Sequence, residues 1–166
     1  MVREFGTWLQ DTPLSLGLQS TLWFVPVSQS IHILSIAVLF TSAMFINTRL
    51  LGFGAGGRSV SDVVATHLPW MWRALAALAI TGILQTITEP VRQFITPIYW
   101  YKMLLIVVVA VLTARFGSQV RAHAAQYDAA ATRPASARTF ALVSSALWIV
   151  IVILGRFIGY VWANYL

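Results

Sequence analysis

The fold class of this chain is decided by the stretch WFVPVSQSIHILSIAVLFTSAMFINTRLLGFG, residues 23–54. No Asp, Glu, Lys or Arg occurs between residues 23 and 48. A helix of about 20 apolar residues crosses the hydrocarbon core of a bilayer, which is about 30 Å thick. The stretch therefore predicts a transmembrane helix. One ionisable side chain, His32, lies about two turns inside it and calls for an explanation.

The composition of the whole chain places it in the membrane class. Of its 166 residues, 58% are hydrophobic and only 10% are charged, against about 25% charged residues in soluble domains. The net charge of +6 indicates loop orientation on a membrane protein, and no basic run with interleaved aromatic residues suggests nucleic-acid binding. The absence of cysteine excludes disulfides, thiolate metal sites and thioether-linked haem.

Four apolar segments predict membrane spans near residues 25–47, 68–88, 97–116 and 140–163. Ahead of the first, DTPLSLGLQS (11–20) begins with a polar cap and a proline, which is a helix-start signal. Leucines at four-residue spacing follow, and they predict a short amphipathic helix lying in the membrane interface. We therefore expect an all-α fold in one domain, residues 1–166: a four-transmembrane-helix bundle with a short N-terminal interfacial amphipathic helix.

The distribution of arginine predicts the orientation of this bundle. Loops one and three together carry six arginines, whereas the opposite side carries two. Because positively charged loops stay in the cytoplasm, both termini are expected in the periplasm.

Three ionisable side chains are predicted to occupy one layer of the outer leaflet. From the helical rise per residue, His32 and Arg156 lie about 10 Å deep and Lys102 about 7 Å deep. Ionisable groups at such depth indicate a functional site. Of the acidic residues, only Glu89 lies near enough to neutralise Lys102, Arg156 or Arg92, so an anionic ligand is expected to supply the missing negative charge.

Polar stripes on two of the predicted helices lead into this layer. Ser28, His32, Ser35 and Ser42 fall on one face of the first span. The second span reaches the same layer with another stripe: Thr81, Gln85 and Thr88. Since lipid offers no hydrogen bonds, both stripes are expected to face the bundle interior.

These residue types suit haem b. Its iron needs an imidazole nitrogen, its macrocycle needs apolar walls, and its propionates need cations. His32 is the candidate axial ligand, and Lys102, Arg156 and Arg92 are the candidate propionate ligands.

The second axial ligand is not evident from the sequence. Met103 is close in depth to His32, but it follows Lys102 directly, and adjacent helical residues point about 100° apart. His67 and His123 are predicted near the cytoplasmic interface. A histidine from a symmetry-related subunit remains an alternative.

Several segments resemble an uncharacterised family of bacterial four-helix inner-membrane proteins. They are SIHILSIAVLF (30–40), NTRLLGFG (47–54), YK (101–102) and GRFIGYVW (155–162). The resemblance covers most of the chain and implies a location in the bacterial inner (cytoplasmic) membrane. More loosely, the architecture is similar to four-helix cytochromes b, which pair histidines on facing helices.

The functional expectation is therefore a b-type haem protein of the inner membrane, acting in electron transfer with a quinone or another redox partner. Helix faces that carry Gly, Ala and Ser favour a homo-oligomer. Two alternatives stay open: an oligomeric channel or carrier for a small solute or anion, and a scaffold subunit that binds lipid or a partner complex. No sequence motif assigns an enzymatic reaction.

Overall fold

The computed structural model describes residues 1–53, 57–129 and 134–161, and within them the chain is all-helical. The eight helices are α1 (Val2–Gln10), α2 (Pro13–Ser20), α3 (Phe24–Leu50), α4 (Val60–Thr88), α5 (Pro90–Ile95), α6 (Pro97–Ala122), α7 (Ala124–Asp128) and α8 (Ala135–Val161). The predicted all-α fold is confirmed. Helices α3, α4, α6 and α8 are long and apolar enough to cross a membrane, which indicates a multi-pass membrane protein.

The long helices extend beyond their predicted bounds. Helix α4 begins at Val60 because the Ser59 side chain caps it by accepting a hydrogen bond from the Asp62 backbone N–H. Pro69 then lies inside this helix rather than near its start. Helix α6 continues to Ala122 and α8 begins at Ala135. Residues 162–163, the predicted end of the fourth span, lie outside the described residues.

The predicted amphipathic helix is α2, and its polar side faces the protein. Thr12 caps it by accepting from the Ser15 backbone N–H at 3.3 Å. Ser15 is fully buried, and its hydroxyl donates to the Ile87 carbonyl of α4 at 2.7 Å. The apolar side, including Leu14, is exposed. This orientation is the reverse of that in a soluble protein, and it is the one expected of a helix whose exposed side faces lipid.

A further N-terminal helix, α1, was not predicted from the sequence. It packs on α5, where a Cβ added at Gly6 would lie 3.2 Å from the Val91 Cα. The Phe5 and Phe94 rings meet at the same contact, with centroids 5.7 Å apart. Helix α1 has no side-chain hydrogen bond at its N-cap, so no capping pattern marks its start along the chain.

The four long helices form a bundle in which α3 and α4 have the most extensive contact. Helix α8 packs against both α6 and α3. Asn47 of α3 ties α3 to α8, since its Nδ2 donates to the Ser145 hydroxyl at 3.0 Å. Helix α6 approaches α4 closely at Gly117, where an added Cβ would lie 2.6 Å from the Leu68 Cδ2.

A hydrogen-bonded clasp joins α7 to the start of α4, at the end of the bundle opposite His32. Asp128 accepts from the Ser61 backbone N–H at 2.8 Å and from the Ser61 hydroxyl at 2.7 Å. Burial of the carboxyl by itself raises the pKa of Asp128, but hydrogen bonds from Ser61, Val60 and Ser59 outweigh it and hold the pKa below its usual value. The carboxylate therefore stabilises the positive end of the α4 dipole.

Asp128→Asn is expected to lower the free energy of unfolding by about 1 kcal/mol at pH 7, the typical value of a lost helix cap. An unfolded aspartate has a pKa of about 3.9, and the folded value is lower, so the stabilisation is complete above about pH 3.9. It disappears as the pH falls through the folded-state pKa. Unfolding in detergent should therefore show a gap between wild type and variant at pH 7 that shrinks below about pH 4. Asp62→Asn, at the same helix end, is the control, and a gap that does not depend on pH would contradict the clasp.

Candidate ligand-binding site

The site begins with a hydrogen bond between α3 and α4, in which His32 Nδ1 lies 2.7 Å from Thr81 Oγ1. The Thr81 hydroxyl donates its proton to the Ala77 carbonyl one turn earlier, at 2.8 Å. With that proton on the Ala77 carbonyl, Thr81 Oγ1 accepts from His32, and Nδ1 carries the imidazole proton. In the neutral imidazole, Nε2 then keeps its lone pair. Throughout the described residues, no hydrogen-bond partner of His32 Nε2 is found.

Local packing leaves the His32 ring half-buried. Gly82 follows Thr81 on α4, and a Cβ added there would lie 3.7 Å from His32 Cε1. The ring therefore rests on helix backbone that carries no side chain at this point. The hydrogen bond to Thr81 holds the side of the ring that carries Nδ1. Part of the ring remains exposed.

Lys102 lies near the start of α6, at the end of the bundle that also holds His32. Its stem runs past α8, where a Cβ added at Gly155 would lie 3.8 Å from Lys102 Cδ. The side chain is half-buried, and no carboxylate in ranges 1–53, 57–129 and 134–161 forms an ion pair with it. A cation held at membrane depth without a counter-charge is costly, so it indicates a site for an anion.

Arg156 does not have the inward orientation expected from the sequence. Its side chain is exposed, and its Nη2 donates to the Tyr160 hydroxyl of the same helix at 2.7 Å. The guanidinium carbon also lies 4.9 Å from the centre of the Tyr160 ring, a cation–π contact. Helical spacing predicts the level of Arg156 along α8, but Tyr160, four residues later, satisfies its guanidinium on the exposed face of that helix.

Arg92 is also engaged elsewhere. It lies in the short helix α5, and its Nη2 is 2.6 Å from the Glu89 carboxylate. Glu89, the acid expected to neutralise the layer, is thus used by Arg92. Of the four residues predicted to hold the cofactor, Arg156 and Arg92 are thus engaged elsewhere, and His32 and Lys102 remain as candidates.

The secondary candidates do not reach His32. His67 stacks on Phe45 with ring centroids 4.7 Å apart, and it precedes Thr81 by fourteen residues, or about 21 Å along α4. His123 is exposed at the end of α6, with Nδ1 3.3 Å from the Gln119 carbonyl. Met103 is half-buried next to Lys102. A second histidine ligand for His32 is therefore not found among the described residues.

Ser28 and Gln85 belong to the site, although from the sequence they could be assigned only to the polar stripes. Helices α3 and α4 run antiparallel, so the residue one turn before His32 lies level with the residue one turn after Thr81. These residues are Ser28 and Gln85. The Ser28 hydroxyl and the Gln85 Nε2 are both buried and without a hydrogen-bond partner in the described part of the chain.

Thr81→Val is expected to let His32 adopt both neutral tautomers. Valine has nearly the same shape as threonine but cannot accept from Nδ1, so both nitrogens become free to carry the proton. The measurement is the ¹⁵N NMR spectrum of labelled histidine in detergent, in which wild type should give one protonated Nδ1 and one unprotonated Nε2 signal for His32. Thr86→Val, on the same helix, is the control. An unchanged His32 spectrum in Thr81→Val would show that the hydrogen bond does not set the tautomer.

Two cavities between the long helices lie away from this site. Each has about 10 Å³ of space for the centre of a water molecule, which is room for about one water. Neither is lined by His32. A cluster of three or more metal-binding side chains is likewise not found in the residues that are described. A metal at His32 would therefore be held by one imidazole, as the iron of a five-coordinate haem is.

Comparison with known proteins gives a family but no activity. No curated protein and no solved structure, cytochromes b included, matches the chain. Residues 16–161, from within α2 to the end of α8, match the family of unknown function DUF6644. The chain belongs to this family.

Proposed function

We propose that this chain is an integral membrane protein that binds haem b and transfers electrons in the bacterial inner membrane. The observation that supports the proposal is the hydrogen bond between His32 Nδ1 and Thr81 Oγ1. Histidines that bind a metal almost always donate their other N–H to a protein acceptor, which orients the ring and raises the basicity of the ligating nitrogen. In the tautomer that carries its proton on Nδ1, Thr81 Oγ1 is that acceptor, and Nε2 is left for the iron.

The surroundings of His32 offer haem a ligand for its iron and a cation for one of its two propionates. Lys102 supplies a cation for one propionate, and its lack of a carboxylate partner among the described residues is consistent with that role. Bound haem would supply one-electron transfer. Residues of this chain would hold its iron, orient the imidazole and neutralise a carboxylate. The second axial position would stay open or be filled by a second copy of the chain, in keeping with the expected homo-oligomer.

The localisation proposed here is the bacterial inner membrane with both termini in the periplasm. Under that orientation the His32 half of the bundle faces outwards. A quinone in the bilayer or a periplasmic redox protein would then be the electron partner.

The deciding experiment is an absorbance spectrum of the protein purified in detergent, before and after addition of haem to the apoprotein. A Soret band that saturates at one haem per chain, or at one per two chains if two copies share it, is the expected result. Reduction with dithionite should sharpen the visible bands. A protein that stays colourless after haem titration would end the proposal.

A second candidate, an oligomeric channel or carrier for a small anion, is favoured by one observation, the half-buried Lys102 without a carboxylate partner in the described ranges. Anion flux into liposomes that falls with Lys102→Gln but not with Arg156→Gln would support it. Arg156 is the matched control because it is exposed on the outer face of α8. A protein with neither a Soret band nor flux would instead favour the scaffold subunit.

A further inference from the structure

We infer that Ser28 and Gln85 form a carboxylate-binding pair one turn outside His32, and that this pair and Lys102 hold the acidic groups of the bound ligand. The inference rests on the proposed function, since it assigns residues to the propionates of haem.

The position of the pair follows from the packing of α3 on α4. The contact between His32 and Thr81 sets the register of the two antiparallel helices. Because the helices are antiparallel, a residue one turn before His32 on α3 lies at the same level as a residue one turn after Thr81 on α4. That level is about 6 Å from the imidazole along the bundle axis, towards the start of α3. Ser28 and Gln85 occupy that level, on the faces that carry His32 and Thr81.

The chemistry of the pair indicates what it would bind. Ser28 is only 5% exposed, and its hydroxyl and the Gln85 amide nitrogen are buried without partners in the described chain. Native proteins rarely leave buried polar atoms unpaired, so a water or a ligand atom is expected to complete the hydrogen bonds of these two. The Ser28 hydroxyl, the Gln85 amide and the Lys102 ammonium are all hydrogen-bond donors, and Lys102 adds a positive charge. Their complement is therefore an anionic acceptor, and a carboxylate meets both requirements.

Two further observations favour this assignment. Arg92 and Arg156, the cations expected to bind propionates, are already bonded to Glu89 and Tyr160. Helix α2 contacts α4 just beyond this level, where Ser15 is bonded to the Ile87 carbonyl, two residues after Gln85. The Ser28 and Gln85 donors are buried, and hydrogen bonds in a buried environment are stronger than those in water.

The test compares haem with its dimethyl ester, in which both propionates are esterified and neutral. Wild-type protein should bind the ester about tenfold or more weakly than haem, the effect of losing one charge-assisted hydrogen bond. The double variant Ser28→Ala/Gln85→Leu should bind haem more weakly and lose most of this preference. The matched control is Ser30→Ala, because the Ser30 hydroxyl is exposed and bonded to the Pro26 carbonyl of its own helix.

Unfolding of the apoprotein provides a readout that is independent of haem. If the two donors are unpaired, their removal should not lower the unfolding midpoint. A lowered midpoint would show that they form hydrogen bonds within the protein, and it would overturn the inference. Equal affinities for haem and ester, with an intact Soret band, would overturn the inference alone. Failure of the wild type to bind either compound would overturn the proposed function and the inference with it.

Discussion

His32→Ala is expected to abolish the Soret band of the haem-loaded protein. Among the described histidines, His32 is the one that combines an Nδ1 bonded to a facing helix with an Nε2 without a partner. Alanine leaves the iron without a ligand from α3, and the other described histidines lie too far away to replace it. Haem added to the purified variant should give the spectrum of free haem in detergent. Addition of imidazole to the variant should restore part of the band, because the small ligand can occupy the space that the side chain has left.

His123→Ala and His67→Ala are the matched controls and should keep the full band. His123 is exposed at the far end of α6, and His67 stacks on Phe45. Thr81→Val should give an intermediate result, with haem affinity lowered by about 10- to 100-fold, as is typical when the partner of a ligating histidine is removed. A band of wild-type intensity in His32→Ala would show that haem, if bound, is held elsewhere.

The position of a residue along its helix could be predicted from the sequence, but the direction of its side chain could not. A rise of about 1.5 Å per residue fixes the level of His32, Lys102 and Arg156 once the spans are known. Which way each side chain points depends on the rotation of its helix, and that is set by packing against neighbours. Arg156 turns outwards because Tyr160 on the same helix satisfies its guanidinium, whereas the stem of Lys102 packs along Gly155 of α8.

The pairing of polar residues on facing helices could not be predicted from the sequence either. The stripes on the first and second spans indicated that Ser28, His32, Thr81 and Gln85 face the interior. The pairing of His32 with Thr81, and hence the level shared by Ser28 and Gln85, depends on the register of α3 against α4. That register is set by apolar packing along the whole interface, and no local motif in the sequence encodes it.

The start of a helix could be predicted where a local capping signal marks it, but not where contacts with distant segments hold it. The start of α2 was predictable because a threonine and a proline form its first turn. The start of α4 was placed too late because the apolar run begins well after the Ser59 cap, and the Asp128 clasp that holds this end comes from a distant segment. Helix α1 was missed because it lacks a side-chain cap and gains its contacts from α5.

Gly117→Leu is expected to cause a large loss of stability, greater than that of Asp128→Asn. Gly117 lies where α6 meets α4, and even a Cβ would be 2.6 Å from the Leu68 Cδ2. The adjacent cavity has about 10 Å³ for the centre of a water molecule, so it cannot take up a leucine side chain. Overpacking of a close contact costs about 1–3 kcal/mol. We expect the upper end of that range because two long helices would have to move apart.

Gly159→Leu is the matched control, since Gly159 also lies within a long helix but has no atom within 4 Å of an added Cβ. Both substitutions gain about 1 kcal/mol of helix propensity from the loss of glycine, so the difference between their unfolding midpoints in detergent isolates the packing term. Gly117→Ala should fall between wild type and Gly117→Leu, because the atom it meets is the end of a flexible side chain. Gly117→Ala/Leu68→Ala should remove the clash while leaving a cavity. Equal midpoints for Gly117→Leu and Gly159→Leu would mean that α6 and α4 do not approach each other as closely as the structure places them.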